Sequence, residues 1–508
     1  MPYAPDSYPR QIPQFKVHGR GEITVSAKGI VTGDSNIPND GADFGPDTML
    51  GATASEQYGP PYTQTMGIME AHAYAQTHKG AVVKFTTGNS TNGSPYYIDI
   101  PLKIGQKNSE QVIWEFNGFV SIHPSNNFTA GNPMIIVGNS GLPSPDIHMY
   151  GQRVQINGYN PSGTSVAASI FSFQGLGSGQ IAYYFTFEEC QMNSVQSGGS
   201  LIENIGIMDR PVIMRGMVFQ GGGYNFFNNT SLCAVNFIDC APAGAVVSKV
   251  PSGGTAFMSF IRGVRPGSLS LSSTGGEHII IFENSGVAGP TNLITASGFS
   301  AGNPCTIFFY GDCDLLLTEA NTNFFQIGDY VNIFADNIRF ALNTSSGTSY
   351  IINPTSTGQL NGTIFLGKIR LRNVTSGGTL SFAPNLNAIT QTEMVEAFIV
   401  EQATGTVNNV YPPSISTNPP VTATVYQNNN PYDIEIDLPV YATTSGTAGY
   451  VTVAKGATST PATIGNQYVN GATSSTSVDI IKLRVPAGWY YSFTASGVTF
   501  GTASVFAD

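Results

Sequence analysis

The sequence predicts an all-β protein: a right-handed parallel β-helix entered through a capping helix, followed by an antiparallel β-sandwich of jelly-roll type. Three observations lead there. Short apolar segments ("YFTFEEC", "GMVFQGG", "AVNFIDC", "FMSFIRG", "IIIFENS", "FFYGDC", "VNIFADN") recur between residues 180 and 340. Turns rich in Gly and Asn separate them, with no helical pattern in between. After a Pro-, Asn- and Thr-rich break, the last segments alternate strictly between apolar and polar residues, as half-buried antiparallel strands do.

Anchored on Phe187, Phe219, Phe237, Phe260, Ile281, Tyr310 and Phe334, the repeat takes steps of 32, 18, 23, 21, 29 and 24 residues, with a mean of 24.5. "VSIHPS" and "VQINGY" before it, and "KIRLRNV" after it, fit the same series. A variable period of this size suits coils of two or three short strands whose inward residues stack from coil to coil. The rivals are a row of sandwiches and a β-propeller, whose blades need roughly 40–45 residues.

In chain order, residues 1–30 form a Pro- and aromatic-rich N-terminal segment, and residues 31–105 the cap and first coil. An open solenoid end exposes apolar core and unpaired backbone, so it needs a cap. Met66 to His78 can form that helix, with Thr65 as N-cap, Gly80 just past the end, and Ile68, Ala71 and Ala75 on one face. "GAVVKFTTG" and "SPYYIDIPLKI" then begin the wall. The coils occupy residues 106–400, a linker 401–430, and the sandwich 431–508, starting with the alternating "DIEIDLPVY" and continuing through "IIKLRV".

Composition narrows the function classes. The 508-residue chain is 41% hydrophobic but only 10% charged, against roughly 25% charged in ordinary soluble domains. Ser, Thr, Asn, Gln and Gly must therefore hold its surface water. A net charge of −11 without a run of Lys or Arg argues against nucleic-acid partners. No stretch approaches the length of a membrane-spanning helix, and no apolar region at the N-terminus marks a secretory signal. The five cysteines (Cys190, Cys233, Cys240, Cys305, Cys313) are too sparse for a disulfide scaffold. Cys233/Cys240 and Cys305/Cys313 could bridge locally; buried free thiols are the simpler reading.

Two residues past five of the anchors stand Glu189, Asp239, Glu283, Asp312 and Asp336; Gly221 and Arg262 interrupt the series. Such acids either solvate turns at strand ends or form a stripe. A stripe could hold Ca2+, contact glycan hydroxyls, or supply the two carboxyls of a glycosidase, which stand roughly 5–9.5 Å apart. Asp312 and Asp336, on consecutive anchors, are the best catalytic pair. No Cys/His spacing points to a metal site, and the six histidines suggest none either. Sugar binding calls for exposed aromatics beside amides and carboxylates. Trp489, Tyr490 and Tyr491 in "PAGWYYSF", Tyr224 and Phe226 in "GGGYNFFNN", and Glu283 are the candidates. Alternation puts Trp489 and Tyr491 on one face and Tyr490 on the other, so one face must be core. Sequons, among them Asn228 and Asn229, offer glycosylation sites.

"NDGADFGPDT", the helix "MGIMEAHAYA" and the "GAVVKFTTG…YYID" strand pair resemble the N-terminal cap of pectate-lyase-like β-helix tailspike proteins of viruses. Asp40, Gly41, Asp47 and Thr48 match the turn, Ile68 and Ala71 the helix, and Gly80 to Gly88 with Tyr97–Ile98 the strands; Thr86–Thr87 departs from the usual pattern. The insertion "MLGATASEQYGPPYTQTM" and the C-terminal segment are similar to spike-like tail-fibre proteins from viruses of hot-spring archaea. The resemblance is strong over residues 30–105 and 430–508 and weak between them. It implies a homotrimeric virion protein that docks through residues 1–30 on other tail or capsid proteins and attaches to a host glycan or pilus. A virus particle would also explain an extracellular composition without a secretory signal. The rival readings are a polysaccharide depolymerase, either glycoside hydrolase or lyase, and a purely structural virion decoration. For the lyase form "IMDRPVIMRG" offers Asp209, Arg210 and Arg215, which trimer-interface ion pairs explain as well.

Overall fold

The computed structural model describes residues 21–27, 44–45, 64–77, 82–86, 95–107, 110–141, 145–177, 183–193, 195–220, 225–242, 244–344, 346–355, 360, 364–371, 378–381, 397–400, 406–408, 422–428, 433–442, 449–469, 478–486, 488–500 and 504–507. The chain divides into two compact units, Met1–Pro266 and Gly267–Asp508.

In the first unit the predicted helix forms over Ile68–Thr77. Met66 and Gly67 turn the chain into it with positive φ, and the Thr65 hydroxyl accepts from the Met69 N–H at 3.1 Å. Ile68, Ala71 and Ala75 are fully buried, as expected of a plug. The buried His72 fixes the helix to the wall through a 2.7 Å contact with Glu110. Glu110 also accepts the N–H groups of Gly105, Gln106 and Lys107. Burial alone would raise the Glu110 carboxyl. The hydrogen bond and charge of His72, with the Gly105 and Gln106 donors, outweigh burial and hold it below its ordinary value.

The wall is a parallel β-helix with up to three strands per coil. Gln111–Asn117, Val120–Pro124 and Ile135–Gly138 make one coil; Asp146–Gly151, Val154–Asn157 and Ser169–Gly175 lie on the next. Inward side chains stack in register: Val83, Trp114, Met149, Phe185, Met214, Phe237 and Phe260 form one buried row. On another wall Leu102, Ile135, Phe171, Ile202, Phe227 and Val246 form a second. Fully burying one such side chain contributes about 1.5–3 kcal/mol. At a buried corner, Asn204 donates to Asn229 and to the Leu232 carbonyl, and Asn229 donates to Ser248 and to the Ser231 carbonyl, which uses the amide donors of both side chains. Asn229 is therefore core, not a glycosylation acceptor.

The coils shorten along this unit. Ser121 contacts Gln155 across 34 residues, whereas Ser259 contacts Asn236 across 23. The sequence anchors accordingly need correction. The partner of Phe237 on the preceding coil is Met214, and Phe219 belongs to another row, opposite Met192.

The second unit contains parallel coils of the same kind. Ile280, Ile307 and Ile333 form one inward row, Val287, Leu315 and Phe340 a second, and Leu269, Ile294, Phe325 and Ile352 a third. Further along lie two antiparallel sheets. Val425–Gln427, Tyr490–Ser496, Gly449–Gly456 and Ala462–Val469 form one. Ile434–Ala442 is central to the other, flanked by Val478–Val485 on one side and by Val498–Phe500 and Ser504–Ala507 on the opposite side. Ile434, Ile436, Leu438, Val440, Val451, Val453, Ile481, Leu483 and Phe493 close the core between the sheets. This is the sandwich that the alternating sequence predicts.

All five cysteines are free and buried, and burial pushes each thiol up.

Candidate functional site: an aromatic and acidic outer face

On the second unit the strands Glu277–Glu283, Cys305–Tyr310 and Val331–Leu342 lie side by side in parallel. Alternation sends Phe282 and Phe309 inward and Ile281, Phe308 and Phe334 outward, in one register row and half-buried. The aromatic column expected to hold Phe334 is thus inward in the first unit but partly outward here. The Phe308 ring stacks on Phe334 at 5.4 Å and 20° and on Tyr310 at 5.6 Å and 8°. Three nearly parallel rings form a platform on the outside of the coils.

Carboxylates flank the platform. Glu283 is the register partner of Tyr310. Asp336 follows Ala335, the partner of Phe309, and so reaches the other side of Tyr310. Tyr310 is 42% exposed. Burial first, and the charge of Asp336 second, push its phenol above the ordinary value, so it keeps its proton and can donate it to a ligand. The site thus combines apolar rings, a phenol donor and carboxylate acceptors.

Two of the expected site residues, Glu283 and Asp336, meet across Tyr310. Asp312, two residues past that ring, is engaged elsewhere. The Arg339 guanidinium pairs with it at 3.0 Å and reaches Asp314 at 3.6 Å, while the Asn337 amide donates to it at 3.1 Å. Asp312 and Asp336 therefore serve different partners, and Asp312 works as part of a corner ion pair. The acid series has a similar counterweight in the first unit, where Arg215 and Arg262 both bind Asp239, at 3.2 and 2.6 Å. These pairs lie within one chain. Arg210 is buried, lies over the Tyr183 ring at 5.4 Å and donates to the Pro145 carbonyl. The side chain of Glu189 lies outside the described residues.

The other aromatic candidates have structural places. Phe226 is fully buried against Phe219 and Phe237, at 4.5 and 4.7 Å, so its ring offers no face to a sugar. It packs inward because its strand, Asn225–Asn229, belongs to a core wall. Tyr224 lies outside the described residues. Trp489 and Tyr491 pack against the sandwich core, and Tyr491 stacks on Tyr426 at 5.6 Å. Burial, then the Tyr426 phenol, push the Tyr491 hydroxyl up to about 12. Tyr490 is half-buried. Among the described residues no group of three or more His, Cys, Asp or Glu side chains is placed to hold a metal ion, and no helix is long and apolar enough to cross a membrane.

Sequence reasoning missed the ring platform. "IIIFE", "TIFFY" and "VNIFAD" are nearly continuous apolar runs, so no alternation marks which residues turn outward. It also assigned no role to His123, which lines a cleft on the first unit. The chain matches no known family profile, and no curated protein shows detectable sequence similarity to it.

Proposed function

We propose that this protein is a virion spike or tail-fibre subunit that attaches a virus to a glycan or pilus on its host. One observation carries the reading: the outward platform of Phe308, Phe334 and Tyr310, flanked by Glu283 and Asp336. Stacked rings suit the apolar face of a pyranose, and carboxylates and a phenol suit its hydroxyls. A row of half-exposed apolar residues also costs solvation unless something covers it. The sparse charge and the resemblance of the cap region to viral β-helix proteins support the same reading. Such a site is shallow and binds weakly, so the attachment proposed here works through several copies. Linking sites in a trimer raises the overall affinity by about 10²–10⁴-fold without a new contact.

The test is binding of the purified full chain to glycan arrays and to cells, with Phe308→Ala and Tyr310→Ala variants. Binding that falls at least tenfold in both variants is the expected result. Unchanged binding in the two variants would remove the platform from the reading, and absence of any binding would remove attachment. Release of reducing ends or unsaturated products, abolished by Asp336→Asn, would make the protein a depolymerase instead.

A further inference from the structure

A concavity of about 350 Å³ opens on the outer surface of the first unit. Its walls include Tyr97, Phe119, Ser121, His123, Gln155 and Tyr159. Three strands place them: Tyr97 is in register with His123, and Ser121 with Gln155, while the inward partners Ile122 and Ile156 belong to the core. The turn after Val154–Asn157 brings Tyr159 over the cleft; Asn160 N–H donates to Thr164 O and Thr164 N–H to Asn160 Oδ1, both at 2.9 Å. Phe119, 50% exposed, stands at the rim.

His123 Nδ1 lies 3.3 Å from the Tyr159 carbonyl, which can only accept, so the ring proton belongs on Nδ1. Nε2 then offers its lone pair to the Ser121 hydroxyl, 2.7 Å away. The Asn157 amide nitrogen lies 3.1 Å from the same Nε2. The Tyr159 ring fixes the imidazole edge-on at 4.8 Å. Burial lowers the His123 pKa and the Tyr159 hydrogen bond only partly offsets this, so the ring is neutral near pH 7 and able to take a proton. A hydroxyl, a base within hydrogen-bond reach and a third group that orients the base are the parts of an activated nucleophile.

We propose that this cleft hydrolyses small carboxylic esters, with Ser121 as nucleophile and His123 as general base. Ser121 Oγ bonds to the ester carbonyl carbon while its proton passes to His123 Nε2. The carbonyl C–O bond to the alcohol breaks, and the departing oxygen takes that proton. Water then gives a proton to Nε2 and its oxygen to the acyl carbon. The carboxylic acid leaves as Ser121 Oγ regains the proton, so no oxidant or cofactor enters. Gln155, whose side-chain oxygen is 3.4 Å from Ser121 Oγ, places an amide on the wall that can turn its N–H groups to the oxyanion. The aromatic walls select an ester carried on a sugar-sized alcohol. The activity is independent of the attachment reading, which rests on the other unit.

The test uses the full chain, a fluorophosphonate probe and p-nitrophenyl acetate. The expected results are probe adduct on the Ser121 peptide and ester hydrolysis that drops at least tenfold in Ser121→Ala. His123→Gln should lose both, with far-UV circular dichroism confirming that it folds. Ser121→Ala removes one hydroxyl and is the decisive variant should His123→Gln misfold. Absence of adduct at Ser121, or hydrolysis unchanged in Ser121→Ala, overturns the proposal. Cell binding unchanged in Ser121→Ala would keep the two activities apart.

Discussion

Phe237→Ala is the sharpest probe of the stacked core. Phe237 is fully buried, in register between Met214 and Phe260, with ring neighbours Phe226 at 4.7 Å and Phe227 and Phe260 at 5.6 Å. Truncation forfeits about 1.5–3 kcal/mol of transfer free energy. Lost ring pairs add about 0.5–1.5 kcal/mol each beyond area. The coils above and below are held by their own ladders and cannot collapse into the gap, so a cavity remains. The expected cost is about 4 kcal/mol, within the range of roughly 3–5 for buried Phe→Ala. That is close to three powers of ten in the unfolding equilibrium, at about 1.4 kcal/mol per decade. The readout is guanidinium unfolding followed by tryptophan fluorescence. Of the two tryptophans, Trp114 is buried in the coils of the first unit and Trp489 packs on the sandwich. A Trp489→Phe background therefore isolates the unit that holds Phe237. The midpoint should fall with an unchanged slope. Phe119→Ala, at the rim of the cleft, should cost within about 0.5 kcal/mol. A Phe237→Ala cost below about 1 kcal/mol would refute the buried row.

Two further outcomes follow from named contacts. Glu110 has a folded-state pKa held below its ordinary value of 4.5, so its contribution is present above that value and is lost as pH falls through the folded pKa. Thermal melts of wild type should weaken in acid, while Glu110→Gln should be destabilised by about 3 kcal/mol at pH 7 and flatter across the acid range, because an amide NH2 in place of one carboxylate oxygen cannot accept the Gln106 and Lys107 N–H groups; identical pH profiles for the two proteins would count against the cap contact. Gly138 has φ +75° and a Cβ there would press into the Gly175 carbonyl oxygen, so Gly138→Ala should lower the melting temperature of the first unit by several degrees, and a neutral result would mean the coils approach less closely than described.

Much of this architecture was legible in the residues themselves. Strand-sized apolar segments, glycine- and asparagine-rich turns and a single helix with Thr65 at its start specify stacked coils behind a plug, because local propensity and hydrophobic period depend only on neighbours in the chain. The strict alternation in "DIEIDLPVY" likewise announced the sandwich, and Ile434, Ile436 and Leu438 do line its core. Register was a different matter. Which residue faces which on the next coil depends on turn lengths, and the step varies from 34 residues between Ser121 and Gln155 to 23 between Asn236 and Ser259. Sidedness also failed where runs such as "IIIF" are apolar throughout, since a one-residue slip reverses every side chain. Only the tertiary structure could turn Phe308 and Phe334 outward, bring Glu283 and Asp336 to either side of Tyr310, give Asp312 to Arg339, and bring Gln155 to Ser121 and Tyr159 to His123. Each of these contacts joins residues on successive strands or corners, and their meeting is decided by how the coils stack.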